Sequence, residues 1–97
     1  MPHFLVEYRE IGSAEAREAH RPEHIAYRKG LGAALPLAGP ILDDAGSPVG
    51  SLVILEADSK AEAEKVALQD PFVANAIMEL ASVRPYRIAA MKPPNPA

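Results

Sequence analysis

Two histidines four residues apart, His20 and His24 in "HRPEHIAYRKG", are the residues whose types and spacing first suggest chemistry in this chain. Imidazoles at i and i+4 lie on one helical face and could share a metal ion. The surrounding residues weigh against it. The chain has no cysteine, Glu23 does not reproduce the His-Glu-x-x-His order, and Pro22 is expected to begin the regular helix, leaving His20 outside it. No metal site and no cofactor are expected.

His24 taken alone fits two descriptions. On a helix starting near Pro22 it shares a stripe with Tyr27, Leu31 and Leu35, which should face a sheet or its rim. A partly buried histidine bonded to a backbone carbonyl is one description. The other is a general acid or base, which needs a carboxylate to hold its tautomer and raise its pKa. Asp70 in "QDPF" is the candidate carboxylate, although an aspartate before proline is also a favourable helix N-cap with proline at N1. Their separation along the chain means that only a fold can bring the two together.

Arg21 lies three residues before His24, beside the expected helix start, where free backbone amides favour an anion. It is a candidate for holding a carboxylate or phenolate, or else a solvated surface arginine. Gly39 with Pro40, and Gly50 with Ser51, would allow close backbone approach to a ligand, though turns and bulges explain them equally. Arg21, Gly39 and Ser51 are therefore the candidate substrate contacts, with His24 and Asp70 the candidate catalytic pair. The chain has no phosphate loop, nucleophile elbow or dinucleotide fingerprint on which hydride transfer or nucleotide hydrolysis could rest.

The elements that must position these residues are legible from periodicity. "HFLVEYR" alternates Phe4, Val6 and Tyr8 with Leu5, Glu7 and Arg9, which predicts a strand over residues 3–9. A loose turn or short helix is expected from Ser13, then the main helix from about Pro22 to Ala34. "LPLAGPILDDAGSPVGSLVILEA" reads as a hairpin around Asp43-Asp44-Ala45-Gly46. Pro36 and Pro40 should make its first arm irregular, bulged or an edge, and the second arm, Ser51 to Ala57, should be central. Ser59 and Glu62 stand in capping-box spacing before a second helix with Ala63, Val66 and Ala67 on one face. A helical turn through "PFVANAIM" and a last strand in "LASVRPYRIAAM" follow, with Pro85 marking a bulge or an edge.

Strand, helix, strand, strand, helix, strand is the split βαβ order of an α+β, ferredoxin-like fold with a four-stranded antiparallel sheet. Two helices cover one face of such a sheet. Val53 and Leu55 oppose Leu52 and Ile54 on the strongest strand, so both faces are apolar and the uncovered one needs a partner, most simply a second copy of the chain. At 97 residues, with 48% hydrophobic and 24% charged, the chain should form one folded domain over residues 1–92, ending in a flexible tail at 93–97. The net charge of -3 comes from interspersed signs, which excludes a phosphate-tracking basic stripe and makes nucleic acid a poor partner. Without cysteines, a basic apolar leader or a membrane span, a cytoplasmic protein that does not bind membranes is expected.

"RPEHIAYRKGL", "AGP", "GSLVILEADSKAEAEKVALQDPFVANAI" and "VRPY" together resemble the YCII-related (YciI-like) family along nearly the whole chain. Arg21 and His24 match its arginine-x-x-histidine, Gly39-Pro40 its Gly-Pro, and Asp70, Pro71 and Phe72 its Asp-Pro-aromatic motif. The resemblance implies a homodimer, or a higher oligomer, that packs sheet to sheet into an α+β barrel. It also implies a pocket where His24 and Asp70 meet, and a relative that removes chloride from a chlorinated hydroxyhydroquinone with such a pair. The extra proline and the adjacent Asp43 and Asp44 depart from the pattern at the expected pocket mouth. The readings that follow are a cofactor-free lyase or isomerase acting on a small anionic or phenolic metabolite, a non-catalytic small-molecule-binding dimer, and a structural dimer.

Overall fold

A computed structural model describes residues 1–92, so the expected flexible tail at 93–97 lies outside the described residues. The alternation in the first segment produces β1 (His3–Glu10), with Phe4, Val6 and Tyr8 buried and their neighbours on the opposite face. Then come α1 (Ala14–Gly30), a short 3-10 turn (Gly32–Ala34), β2 (Leu37–Leu42), β3 (Pro48–Glu56), α2 (Lys60–Leu68), α3 (Pro71–Ala74) and β4 (Met78–Tyr86). The strands form one antiparallel sheet in the order β2-β3-β1-β4, with the helices on one face. This is the expected α+β, ferredoxin-like arrangement, with β3 central and the proline-bearing β2 at an edge.

The first departure is α1. The helix does not wait for Pro22 but starts at Ala14, capped by Ser13, whose hydroxyl accepts from the Ala16 amide at 3.0 Å. Proline removes the donor that Glu18 would otherwise receive, yet Glu18 and Pro22 are both exposed, so water can satisfy that carbonyl. Contacts on both sides of the proline hold the helix: Ala16 packs against the core before it, and Leu31 after it. The helix ends at Gly30, with residues 32–34 in the tighter 3-10 turn.

The hairpin closes where Gly46 adopts φ 89°, and the Asp43 carboxylate accepts from the amides of Ala45 (3.0 Å) and Ser47 (2.9 Å). Ser59 caps α2 as its spacing predicts, accepting from the Glu62 amide at 3.2 Å. β4 begins earlier than expected, at Met78, because Met78 pairs with Glu10. Its bulge also lies elsewhere: register slips between Glu7 and Tyr8, opposite Ser82 and Leu80, whereas Pro85 pairs in register with Phe4 on the sheet's edge strand.

The core lies between sheet and helices, built from Phe4, Val6, Tyr8, Val53, Leu55, Ala63, Ala67, Phe72, Ile77 and Val83. The other face carries Leu5, Leu37, Leu52 and Ile54, against which Ile88, Ala90 and Met91 fold back to form a shallow recess. Both faces of β3 are thus apolar, and Ile54 is buried within one chain. No helix among the described residues is long and apolar enough to cross a membrane.

Candidate functional site

The continuous α1 places Arg17, Arg21, His24 and Arg28 at i, i+4, i+7 and i+11, one stripe along its surface. α3 packs beside it and begins at Asp70, whose carboxylate caps the Phe72 amide at 2.9 Å. The capping geometry turns the carboxylate toward α1. His24 Nδ1 lies 2.7 Å from the same Asp70 oxygen, Oδ1. The N-cap and the acid/base partner, alternatives when read from sequence, are one and the same carboxylate.

Asp70 is completely buried, and His24 is nearly so, with 13% of its side chain exposed. Burial alone would raise the Asp70 carboxyl, but hydrogen bonds from His24 and Phe72 and the charges of His24 and Arg28 outweigh it and hold the group below its ordinary value. An ionised carboxylate can only accept, so the proton of this hydrogen bond sits on His24 Nδ1. In the neutral ring Nε2 is then the basic nitrogen, and it has no protein partner among the described residues. The imidazole stacks flat on Phe72, with ring centroids 3.9 Å apart and planes 3° from parallel.

A cavity of about 360 Å³ opens beside the ring, its lining formed by Arg17, Glu18, Arg21, His24 and Ile25 of α1 with Phe72, Pro40 and Pro48. Arg17 lies 5.8 Å from the Phe72 ring centre, and its Nε is 3.6 Å from Glu10 at the end of β1. Burial raises the Glu10 carboxyl, against the opposing charges of Arg17 and His24. Arg21 is exposed at the mouth and pairs with Glu18 at 3.6 Å. It stands within α1, so the free amides expected beside it are absent and its own charge is what it offers an anion. Pro40 and Pro48 shape the hairpin side of the cavity, while Asp43 caps its own turn; neither Asp43 nor Asp44 lines the cavity.

Ser51 and Gly39, expected as ligand contacts, are not among the residues lining this cavity. The Ser51 hydroxyl is buried, donating to the Gly39 carbonyl at 3.2 Å and accepting from Arg28 Nη1 at 3.1 Å. Gly50 is indeed a point of close approach, but to protein: a Cβ there would lie 2.4 Å from the Tyr8 carbonyl oxygen. His20 belongs to α1 after all, 3.6 Å from Glu23, and no group of three or more potential metal ligands occurs among the described residues.

Sequence reasoning missed Arg17 and Arg28. Arg28 stood four residues after His24 on the expected helix, so its signal was present but unused; that of Arg17 was hidden by the assumption that Pro22 interrupts the helix. It also missed the two tyrosines. Tyr8 donates to the Ala67 carbonyl at 3.0 Å and Tyr27 to that of Val66, which also accepts from the Gln69 amide at 3.1 Å, so both tyrosines bind carbonyls in the last turn of α2, just before Asp70. Burial is the main cause that raises both phenols, Tyr27 to about 12, which keeps them neutral donors.

The fold is thus a ferredoxin-like α+β scaffold that carries a buried His-Asp pair beside a small cavity lined in part by arginines. The model of the YCII-related domain matches residues 1–87, and the chain belongs to that family. Among solved structures it is similar to 5-chloro-2-hydroxyhydroquinone dehydrochlorinase (TftG) from Burkholderia phenoliruptrix AC1100, in complex with 2,5-dihydroxybenzoquinone. The two share 26% identity over 87% of this chain and 91% of that one, with a TM-score of 0.64. No curated protein matches the sequence.

Proposed function

We propose that this chain is a cofactor-free acid/base enzyme, a lyase or isomerase acting on a small anionic or phenolic ring compound. The observation that carries the reading is the 2.7 Å His24–Asp70 bond, which leaves Nε2 as the free basic nitrogen of a ring lining the cavity. His24 takes a proton from a ring hydroxyl or an acidic C–H, and Asp70 stabilises the imidazolium that forms. The electron pair released moves into the ring; for an elimination the ring first tautomerises, one hydroxyl proton moving to the carbon that bears the leaving group, so that loss of a second hydroxyl proton to His24 expels chloride from that now tetrahedral carbon and leaves a quinone. Arg17 and Arg21 at the rim attract the anion and balance the charge that develops. Kinship with a dehydrochlorinase whose structure holds a hydroxylated quinone supports an oxygenated ring as the substrate class.

The apolar sheet face supports a second copy of the chain as its cover, two sheets packing into an α+β barrel. The test is turnover of chlorinated and unchlorinated hydroxyhydroquinones, followed by quinone absorbance, with wild type and His24→Ala in parallel. Turnover that disappears in the variant while binding persists is expected. A variant as active as wild type would sink the acid/base reading, and ligand-induced thermal stabilisation without turnover of any such ring would favour a binding protein.

A further inference from the structure

We infer that Arg28 is the positioning residue of the His24–Asp70 pair, fixing the tautomer in which His24 presents an unprotonated Nε2 to the cavity. The inference rests on the acid/base reading of that pair.

Asp70 Oδ1 serves two donors, His24 Nδ1 at 2.7 Å and the Phe72 amide at 2.9 Å. The torsion of a carboxylate is broad, so these two contacts to one oxygen leave the plane of the group free to twist. Arg28 Nε donates to Oδ2 at 3.2 Å and removes that freedom. Arg28 is itself held: Nη1 donates to Ser51, Ser51 to Gly39, and the guanidinium lies 5.6 Å from the centre of the Tyr8 ring. The chain of contacts ties α1 and the start of α3 to the sheet. A lysine has one nitrogen and could not serve Asp70 and Ser51 in this fork geometry.

Charge balance points the same way. A buried carboxylate needs a cation, and a histidine that must supply it cannot also be a neutral base. Arg28 carries a charge at every working pH and balances Asp70 when His24 is neutral. The other titratable groups near the ring are Arg17, Glu18, Arg21 and Tyr27 on α1 and Glu10 and Tyr8 on β1. Of all these groups, only Asp70 bonds to His24, and only Arg28 bonds to the second oxygen of Asp70. The cost of this arrangement is visible in Arg28 Nη2, buried without a partner among the described residues.

The test needs no substrate. Long-range 1H–15N spectra of the His24 ring, recorded with the ring neutral, report which nitrogen carries the proton. Wild type should show the Nδ1–H tautomer, Arg28→Met a mixture of tautomers, and Ser51→Ala a smaller change in the same direction; Asp70→Ala, which removes the accepting oxygen, should lose the wild-type pattern. If folded Asp70→Ala loses it while folded Arg28→Met keeps it unchanged, Arg28 has no positioning role and the pair survives. Should Arg28→Met not fold, Ser51→Ala decides the same question. A folded Asp70→Ala variant with wild-type signals would instead remove the pair itself, and with it the acid/base reading.

Discussion

His24 Nδ1 and Asp70 Oδ1 are 2.7 Å apart, although the two residues are 46 positions apart in the chain. They meet because one carboxylate both caps α3 and accepts the imidazole hydrogen bond, while α1 passes alongside. A site built on a helix cap inherits the cap's rigidity.

Removing the proposed base, His24, should cost far more in rate than in fold. His24→Gln keeps most of the side chain's volume but cannot relay a proton at Nε2, so turnover of an accepted substrate should fall about 10²–10⁴-fold with little change in substrate affinity. Steady-state kinetics on the variant checks this, and a drop in affinity alone would argue for a binding role.

Asp70 should make the fold acid-sensitive. Its carboxyl is held below its ordinary value of 3.8, so the folded state gains stability at every pH above 3.8 and loses it as pH falls through the lower native value. Asp70→Ala strips Arg28 and His24 of their buried partner and should cost about 3–5 kcal/mol at neutral pH. Urea unfolding at a series of pH values should show the gap between variant and wild type narrowing only below pH 3.8.

Glu10 carries the opposite sign. Its carboxyl is raised by burial, and Oε2 is buried without a partner among the described residues, so the ionised group is unfavourable at neutral pH. Glu10→Gln should be as stable as wild type or more so at pH 7, and the difference should fade as pH drops through the raised native value and Glu10 takes up its proton. Thermal melts at neutral and acid pH check this.

Phe72 should behave as a core residue and a wall of the site together. It is 1% exposed and stacks on His24, so Phe72→Ala should cost about 3–5 kcal/mol, and the better-filling Phe72→Leu about 1.5 kcal/mol or less. Denaturant midpoints measure both. The leucine variant should fold yet turn over more slowly, having lost the flat surface that orients the ring.

The two glycines near Ser51 should separate sharply. Alanine at Gly50 would drive a Cβ to 2.4 Å from the Tyr8 carbonyl oxygen, backbone that cannot move aside without parting β1 from β3, and should cost about 1–3 kcal/mol. Alanine at Gly39 meets nothing within 4 Å and should be tolerated. Matched unfolding curves decide between these.

Signals confined to a few neighbouring residues are readable in the amino-acid sequence by itself. The alternation in β1, the Asp-Gly hairpin, the Ser59 cap and the Asp70-Pro71 cap each depend on backbone preferences and hydrogen bonds a few residues long, and each stands where its pattern puts it. Element order alone then leads to the ferredoxin-like sheet, because few ways exist of packing two helices on four strands. Long-range compensation is not readable in this way. Pro22 is a helix breaker by local chemistry, and α1 continues through it only because packing on both sides offsets the lost hydrogen bond, with Glu18 and Pro22 themselves exposed. That continuity aligns Arg17 with His24. Pro85 does stand on an edge strand, one of its two expected places, but the bulge falls opposite Glu7 and Tyr8, since register is set by pairing across strands. The pairing of Asp70 with Arg28 and the burial of Ser51 follow from α1, α3 and β3 converging in three dimensions, which no spacing along one chain encodes.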